Sequence, residues 1–176
     1  NLEYFLTRVV PVAESAGIRL AMHPDDPPVS PIRGISRIMR SPKNIERLLN
    51  LVPSPANAIT FCQGCFSEMG VDMPRAIQKF APHTAFVHFR DVAGDLSGFH
   101  ETFPDTGKTD MFAAMKAWSD AGYEGVIRPD HVPLVDGEEH HGEAGYSMLG
   151  RLYAVGYMRG LMDAIDSPTV NQRAAV

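Results

Sequence analysis

Apolar residues fall into two alternating patterns along this chain, short unbroken runs and stripes at helical spacing. Leu2, Phe5, Leu6, Val9 and Val10 recur every three or four positions, which predicts one face of an amphipathic helix that Gly17 stops. Ile18–His23 then reads as a strand, followed by a Pro- and Asp-rich loop from Pro24 to Pro31. A second helix is predicted over Pro42–Val52. Ser41 supplies its cap oxygen, Pro42 suits the first helical position, and Ile45, Leu48, Leu49 and Val52 form the buried stripe. Ala58–Cys62 reads as a second strand, with Gln63-Gly64-Cys65 leading off its end and Phe66-Ser67-Glu68 expected in a loop. A short helix over Met73–Phe80 leads to a third strand, Thr84–Phe89, and then to a long polar loop through Gly94, Gly98 and Pro104. Asp110 is expected to cap a helix reaching Ala121, with Met111, Phe112, Met115 and Trp118 turned inward. The fourth strand is Gly125–Asp130. A loop of acids and histidines from Asp136 to Glu143 separates it from a last helix, Tyr146 to Ile165, and the tail from Ser167 is expected to fray.

A helix followed by four strand–helix units predicts an α/β fold with a parallel sheet. Four such units are half of a (β/α)8 barrel, which typically takes about 250 residues. The chain opens on Asn1 inside a helical stripe, so it is expected to be the C-terminal half of a TIM barrel over residues 1–166, with a tail over 167–176. Its 176 residues, 44% hydrophobic and 21% charged, match an ordinary globular protein rather than a disordered one. A net charge of -5 without a basic run gives no electrostatic reason to expect nucleic acid. No apolar run approaches the ~18 residues of a membrane span. The two cysteines, Cys62 and Cys65, cannot build a disulfide framework, which points to a reducing, cytoplasmic setting.

The candidate chemistry lies at the strand ends. His23, Cys62, His88 and Asp130 each stand at the carboxyl end of a predicted strand, one per strand. Alone, each has an ordinary explanation: a hydrogen-bonded His, a small core Cys, an Asp that caps a turn. Together they keep the strand period, and in a barrel adjacent strand ends converge on the top face. In a flat sheet the outer two would stand three strand spacings apart, roughly 14 Å. Two imidazoles, a thiolate and a carboxylate suit a divalent transition ion better than Mg²⁺ or Ca²⁺. The pair Cys62-x-x-Cys65 is half of a structural zinc site. Its redox reading needs a helix opening after the strand, so Cys62 is taken as the ligand and Cys65 as packing. His140-His141, beside Glu138, Glu139 and Glu143, reads as solvated surface. Arg128 and His131 flank Asp130, and Tyr146 follows Gly145. A permanent cation suits a substrate carboxylate or a phenolate, and an imidazole suits proton transfer.

The segments His23-Pro24-Asp25-Asp26-Pro27-Pro28, Phe61-Cys62-Gln63-Gly64-Cys65, Val87-His88-Phe89-Arg90-Asp91-Val92, Ile127-Arg128-Pro129-Asp130-His131 and Gly145-Tyr146-Ser147 resemble mannonate dehydratases of uronate degradation. The resemblance runs from about Ile18 to Ile165 and implies a xylose-isomerase-like TIM barrel whose first four βα units lie outside this chain. It implies Mn²⁺ or Fe²⁺ as cofactor and dehydration of D-mannonate to 2-keto-3-deoxy-D-gluconate. It places His23, Cys62, His88 and Asp130 on the metal ligands, and Arg128, His131 and Tyr146 on the catalytic group. Tyr146, acidified by Arg128, and His131 are expected to share the acid and base roles. The partner is then a small sugar acid, with neither nucleic acid nor membrane, and a homo-oligomer is expected for the parent protein. Two alternatives stand beside it. One is a related metal-dependent sugar isomerase or epimerase, whose usual His/Glu/Asp ligand shell Cys62 argues against; the other is a non-catalytic sugar-acid-binding remnant.

Overall fold

The computed structural model describes residues 1–138 and 145–167. Along the chain come α1 (Leu2–Ser15), β1 (Leu20–Met22), α2 (Pro42–Leu51), β2 (Asn57–Cys62), α3 (Gln63–Glu68), α4 (Met73–Phe80), β3 (Thr84–His88), β4 (Asp91–Asp95), β5 (Gly98–Thr102), α5 (Met111–Asp120), β6 (Val126–Arg128) and α6 (Met148–Asp166). The sheet order is β1-β2-β3-β6, and all three pairings are parallel. This is the expected α/β arrangement of four parallel strands alternating with helices.

Local chemistry explains most element ends. Ser41 Oγ accepts from Asn44 N at 3.2 Å, Asp72 Oδ1 from Arg75 N at 3.0 Å and Asp110 Oδ1 from Ala113 N at 2.9 Å, so α2, α4 and α5 each start at a side-chain cap. Gly17 sits at φ 67°, and the amide of Ile18 donates back to the Ala13 carbonyl, which closes α1.

All six residues of β2 are buried, whereas β1 and β6, each paired on one side among the described residues, are partly exposed. Phe61 of β2 stacks on Phe66 at 4.0 Å and meets Trp118 edge-on at 5.0 Å, which ties the sheet to α3 and α5. The buried Gln63 amide is satisfied inside this core: its oxygen accepts from Trp118 Nε1 at 3.0 Å, and its nitrogen donates to Met111 Sδ at 3.4 Å. The core thus lies between the sheet and the helices on its outer face.

Five sequence expectations need correction. Gln63–Glu68 forms helix α3, not a loop, so the Cys62-x-x-Cys65 pair does open a helix after a strand. The polar stretch after β3 is in part an antiparallel hairpin, β4 paired with β5 from Asp91↔Thr102 to Asp95↔Gly98. The inward stripe of α1 is Leu6, Val10 and Ala13, while Phe5 is half exposed, and Phe112 of α5 lies at the surface rather than in the core. Finally, α6 starts at Met148, leaving Tyr146 just ahead of the helix. The tail over 168–176 lies outside the described residues, as do Glu139, His140, His141 and Glu143. No helix among the described residues is long and apolar enough to cross a membrane.

Candidate active site

Cys62 and His88 end β2 and β3, His23 follows β1 directly, and Asp130 lies just past β6. The register sets Cys62 beside His88 and His88 beside Arg128 on successive strands. The strand ends converge. His23 Nε2 lies 3.1 Å from His88 Nδ1, although β2 runs between their strands and two strand spacings span about 9.6 Å in a flat sheet. His88 Nδ1 lies 3.3 Å from Asp130 Oδ2. The ligand atoms of Cys62, His88 and Asp130 all fall within 4.8 Å of one another, and those of His23, Cys62 and Cys65 do likewise. The four sequence-predicted ligands therefore meet, with Cys62 common to both groups.

Proton bookkeeping shows why this spot suits a cation. A carbonyl only accepts, so the 2.6 Å contact between His23 Nδ1 and Pro24 O puts the His23 proton on Nδ1 and leaves the Nε2 lone pair facing the site. Two acceptors, His23 Nε2 and Asp130 Oδ2, thus converge on the single proton that His88 Nδ1 can carry. Burial opposes charge on His88, yet the hydrogen bond to Asp130 and the neighbouring Cys62 raise it to about 9. Burial likewise opposes charge on His23, and the Cys62 contact outweighs it and raises that imidazole. Burial would push the Cys62 thiol up, but its contacts with Cys65, His23 and His88 and the charge of Arg90 bring it well down. Cys65, which donates to Cys62, is held up as the thiol of the pair. Burial raises Asp130, while His88 and Arg128 hold it well below the ordinary carboxylate range. A buried thiolate and carboxylate with two imidazole nitrogens form a donor set that fits a divalent transition ion.

Arg90, absent from the sequence-based candidates, organises the surroundings. Its side chain is 0% exposed, and Nη2 lies 2.6 Å from Asp26 Oδ2, 3.3 Å from Glu68 Oε1 and 3.5 Å from Cys65 Sγ. Nη1 donates to Glu101 at 2.9 Å, and Nε lies 3.5 Å from Asp130 Oδ2. A Cβ at position 64 would collide with this guanidinium, so the glycine between the two cysteines makes room for Arg90. The signal for Arg90 was present in the Val87–Val92 segment, whereas Glu101 lay in the stretch read as loop.

The three candidate catalytic residues all adjoin Asp130 of the ligand cluster. His131 Nε2 lies 3.0 Å from Tyr146 Oη, which is also 3.3 Å from Asp130 Oδ1. Arg128 Nη2 donates to Asp130 Oδ1 at 2.6 Å, while its Nε has no partner among the described residues. The expected acidification of Tyr146 by Arg128 does not occur. Burial and the Asp130 charge raise the phenol, and together they outweigh the lowering from the charge and hydrogen bond of Arg128. The hydrogen bond to Glu101 raises His131 against its own burial. Tyr146 therefore holds its proton and can donate it, with an imidazole at hand to exchange with.

Comparison with known proteins accords with this geometry. A family model for D-mannonate dehydratase (UxuA) matches residues 1–172. The mannonate dehydratase of Thermotoga petrophila is 43% identical over 172 residues, an alignment covering 94% of this chain and 47% of that protein. The crystal structure of mannonate dehydratase from Streptococcus suis serotype 2 superposes with a TM-score of 0.87 at 35% identity, over 99% of this chain and 49% of that one. A D-tagatose 3-epimerase-like protein shares the fold, with a TM-score of 0.68 at 15% identity over 98% of this chain and 55% of its own. The chain thus spans about half the length of the curated relatives it matches, and it belongs to the D-mannonate dehydratase family.

Proposed function

We propose that the protein carrying this chain dehydrates D-mannonate to 2-keto-3-deoxy-D-gluconate and water, with Mn²⁺ or Fe²⁺ held by His23, Cys62, His88 and Asp130. The observation that carries this reading is the meeting of His23 Nε2 and His88 Nδ1, 3.1 Å apart, beside a buried thiolate and next to a proton-exchanging pair. The overall change removes a proton from C2 and a hydroxyl from C3, and the resulting enol becomes the 2-keto acid. The C2 proton is hard to remove because the adjacent carboxylate opposes further negative charge. Bound at this site, a divalent ion supplies positive charge beside that carboxylate. Arg128, a permanent cation whose side chain is 41% exposed, can meet the same need from the protein side. Tyr146 and His131 take the C2 proton and protonate the departing C3 hydroxyl between them, since 3.0 Å lets a proton pass from one to the other. A reducing cytoplasm, which preserves the Cys62 thiolate, and a homo-oligomeric assembly accompany this reading.

The test is product analysis on the full-length protein with D-mannonate and added Mn²⁺ or Fe²⁺. A 2-keto-3-deoxy acid is the expected product; an isomeric sugar acid with no loss of water would replace the proposal with isomerase or epimerase chemistry. Tyr146→Phe is expected to lower kcat by about 10²–10⁴-fold, the range of general acid–base contributions, with metal content unchanged. Unaltered turnover would remove Tyr146 from the mechanism.

A further inference from the structure

The β4–β5 hairpin brings a carboxylate to the far side of the His131 ring. Glu101 of β5 accepts from Arg90 Nη1 at 2.9 Å, and the same oxygen lies 3.4 Å from His131 Nδ1. Across the ring, His131 Nε2 lies 3.0 Å from Tyr146 Oη. Three groups therefore stand in line, carboxylate, imidazole and phenol. Building on the dehydratase reading, we propose that Glu101 is a positioning residue, which holds the His131 ring with Nδ1–H toward itself and so turns the Nε2 lone pair toward the Tyr146 hydroxyl.

Three observations support the assignment. Arg90 carries donors only, so the Glu101 oxygen beside it faces the ring as an acceptor, and the proton of the Glu101–His131 contact belongs to Nδ1. The competing tautomer would place its proton on Nε2, toward Tyr146 Oη, and would leave a bare Nδ1 lone pair facing the Glu101 oxygen 3.4 Å away; the phenol would then have to donate to Asp130 Oδ1, an oxygen already engaged by Arg128 at 2.6 Å. Free imidazole in water prefers the Nε2–H form, so a site that needs a bare Nε2 needs an acceptor on the other nitrogen. Outer carboxylates that fix the tautomer and orientation of a working histidine recur in protein sites. Removing Glu101 leaves Arg90 anchored by Asp26, Glu68 and Asp130, so the effect on the ring can be separated from collapse of the surroundings.

The experiment pairs steady-state kinetics on D-mannonate with ¹⁵N NMR of histidine-labelled full-length protein. Glu101→Ala is expected to lower kcat by about 10- to 100-fold, the usual effect of losing such an outer partner. KM and metal content should stay within about twofold, because the interaction serves the reacting groups rather than ground-state binding. The Nδ1–H signature of His131 should be present in the parent protein and lost in this variant. Glu101→Gln keeps an oxygen within reach of both Arg90 Nη1 and His131 Nδ1, and should restore that signature and most of kcat. A parent spectrum with the proton on Nε2, or a Glu101→Ala variant with the parent's tautomer and kcat, overturns the assignment. If the parent protein leaves D-mannonate untouched, the dehydratase reading fails by itself. The spectra then decide the Glu101 contact: loss of the signature in Glu101→Ala upholds it, and persistence overturns it.

Discussion

Two groups of ligand-type side chains adjoin each other at the carboxyl end of the sheet. Asp26, Cys65 and Glu68 bring their ligand atoms within 4.8 Å of one another, and so do Cys62, His88 and Asp130. By spacing alone either could hold an ion. The difference is what already occupies the centre. In the first group Arg90 Nη2 touches all three members, so the guanidinium is the resident cation. In the second, the positive charge between the acceptors is a proton on His88 Nδ1, which a metal can displace. The chemistry differs in the same sense: carboxylates match a guanidinium, whereas imidazole nitrogens with a thiolate match a transition ion. Donor count and distance nominate a metal site; the group in the middle decides.

The comparison breaks most visibly if Arg90 is removed. Arg90→Met leaves Asp26, Glu68, Glu101 and Asp130 beside an uncharged side chain, and should cost about 3–5 kcal/mol in denaturant unfolding, as for a buried pair deprived of one partner. A loss below about 1 kcal/mol would mean that Arg90 is not what holds the first group together.

Next in size is the contrast between the two cysteines. Cys62→Ser should weaken Mn²⁺ or Fe²⁺ binding by more than about 100-fold, beyond the 10- to 100-fold range of outer-partner losses, whereas Cys65→Ser should change it by less than about tenfold. Equal losses, measured by metal titration, would merge the two groups into one site.

The smallest effect is a pH slope. Burial and the charge of Asp26 raise the Glu68 carboxyl to about 8 in the folded chain. An unfolded Glu titrates near 4.3. Between those values the folded state holds a proton that the unfolded state has released. This residue's contribution to stability is therefore fully present below about pH 4 and declines as pH rises toward 8. Glu68→Gln should flatten that part of the stability profile; a slope identical to the parent's would place the raised carboxyl elsewhere.

The same two regions differ in how far the sequence disclosed them. His23, Cys62, His88 and Asp130 were legible because each ends an apolar run, and strand ends in successive βα units share one face. The cage around Arg90 was not. Every residue of α3 is buried, including Gln63, Ser67 and Glu68, so it carries no amphipathic stripe by which to be recognised. In β5 the partly buried positions are Phe99 and Glu101, so an inward-facing charge interrupts the alternation that marks a strand. Gly94, Asp95, Ser97 and Gly98 then read as loop, although Asp95 Oδ1 accepts from Ser97 N at 2.8 Å within the hairpin turn. The protonated state of Tyr146 was hidden for a related reason. Arg128 is near the phenol in sequence logic, but the chain gives no sign that burial and the charge of Asp130 outweigh it.

The central claim concerns where the cation sits, and an anomalous-difference map of crystals of the full-length protein grown with Mn²⁺ measures that directly. The account predicts one peak bounded by His23 Nε2, Cys62 Sγ, His88 Nδ1 and an Asp130 oxygen, with Arg90 still seated among Asp26, Glu68 and Glu101. A peak among Asp26, Cys65 and Glu68, or ion density that leaves the two histidines unliganded, would contradict it.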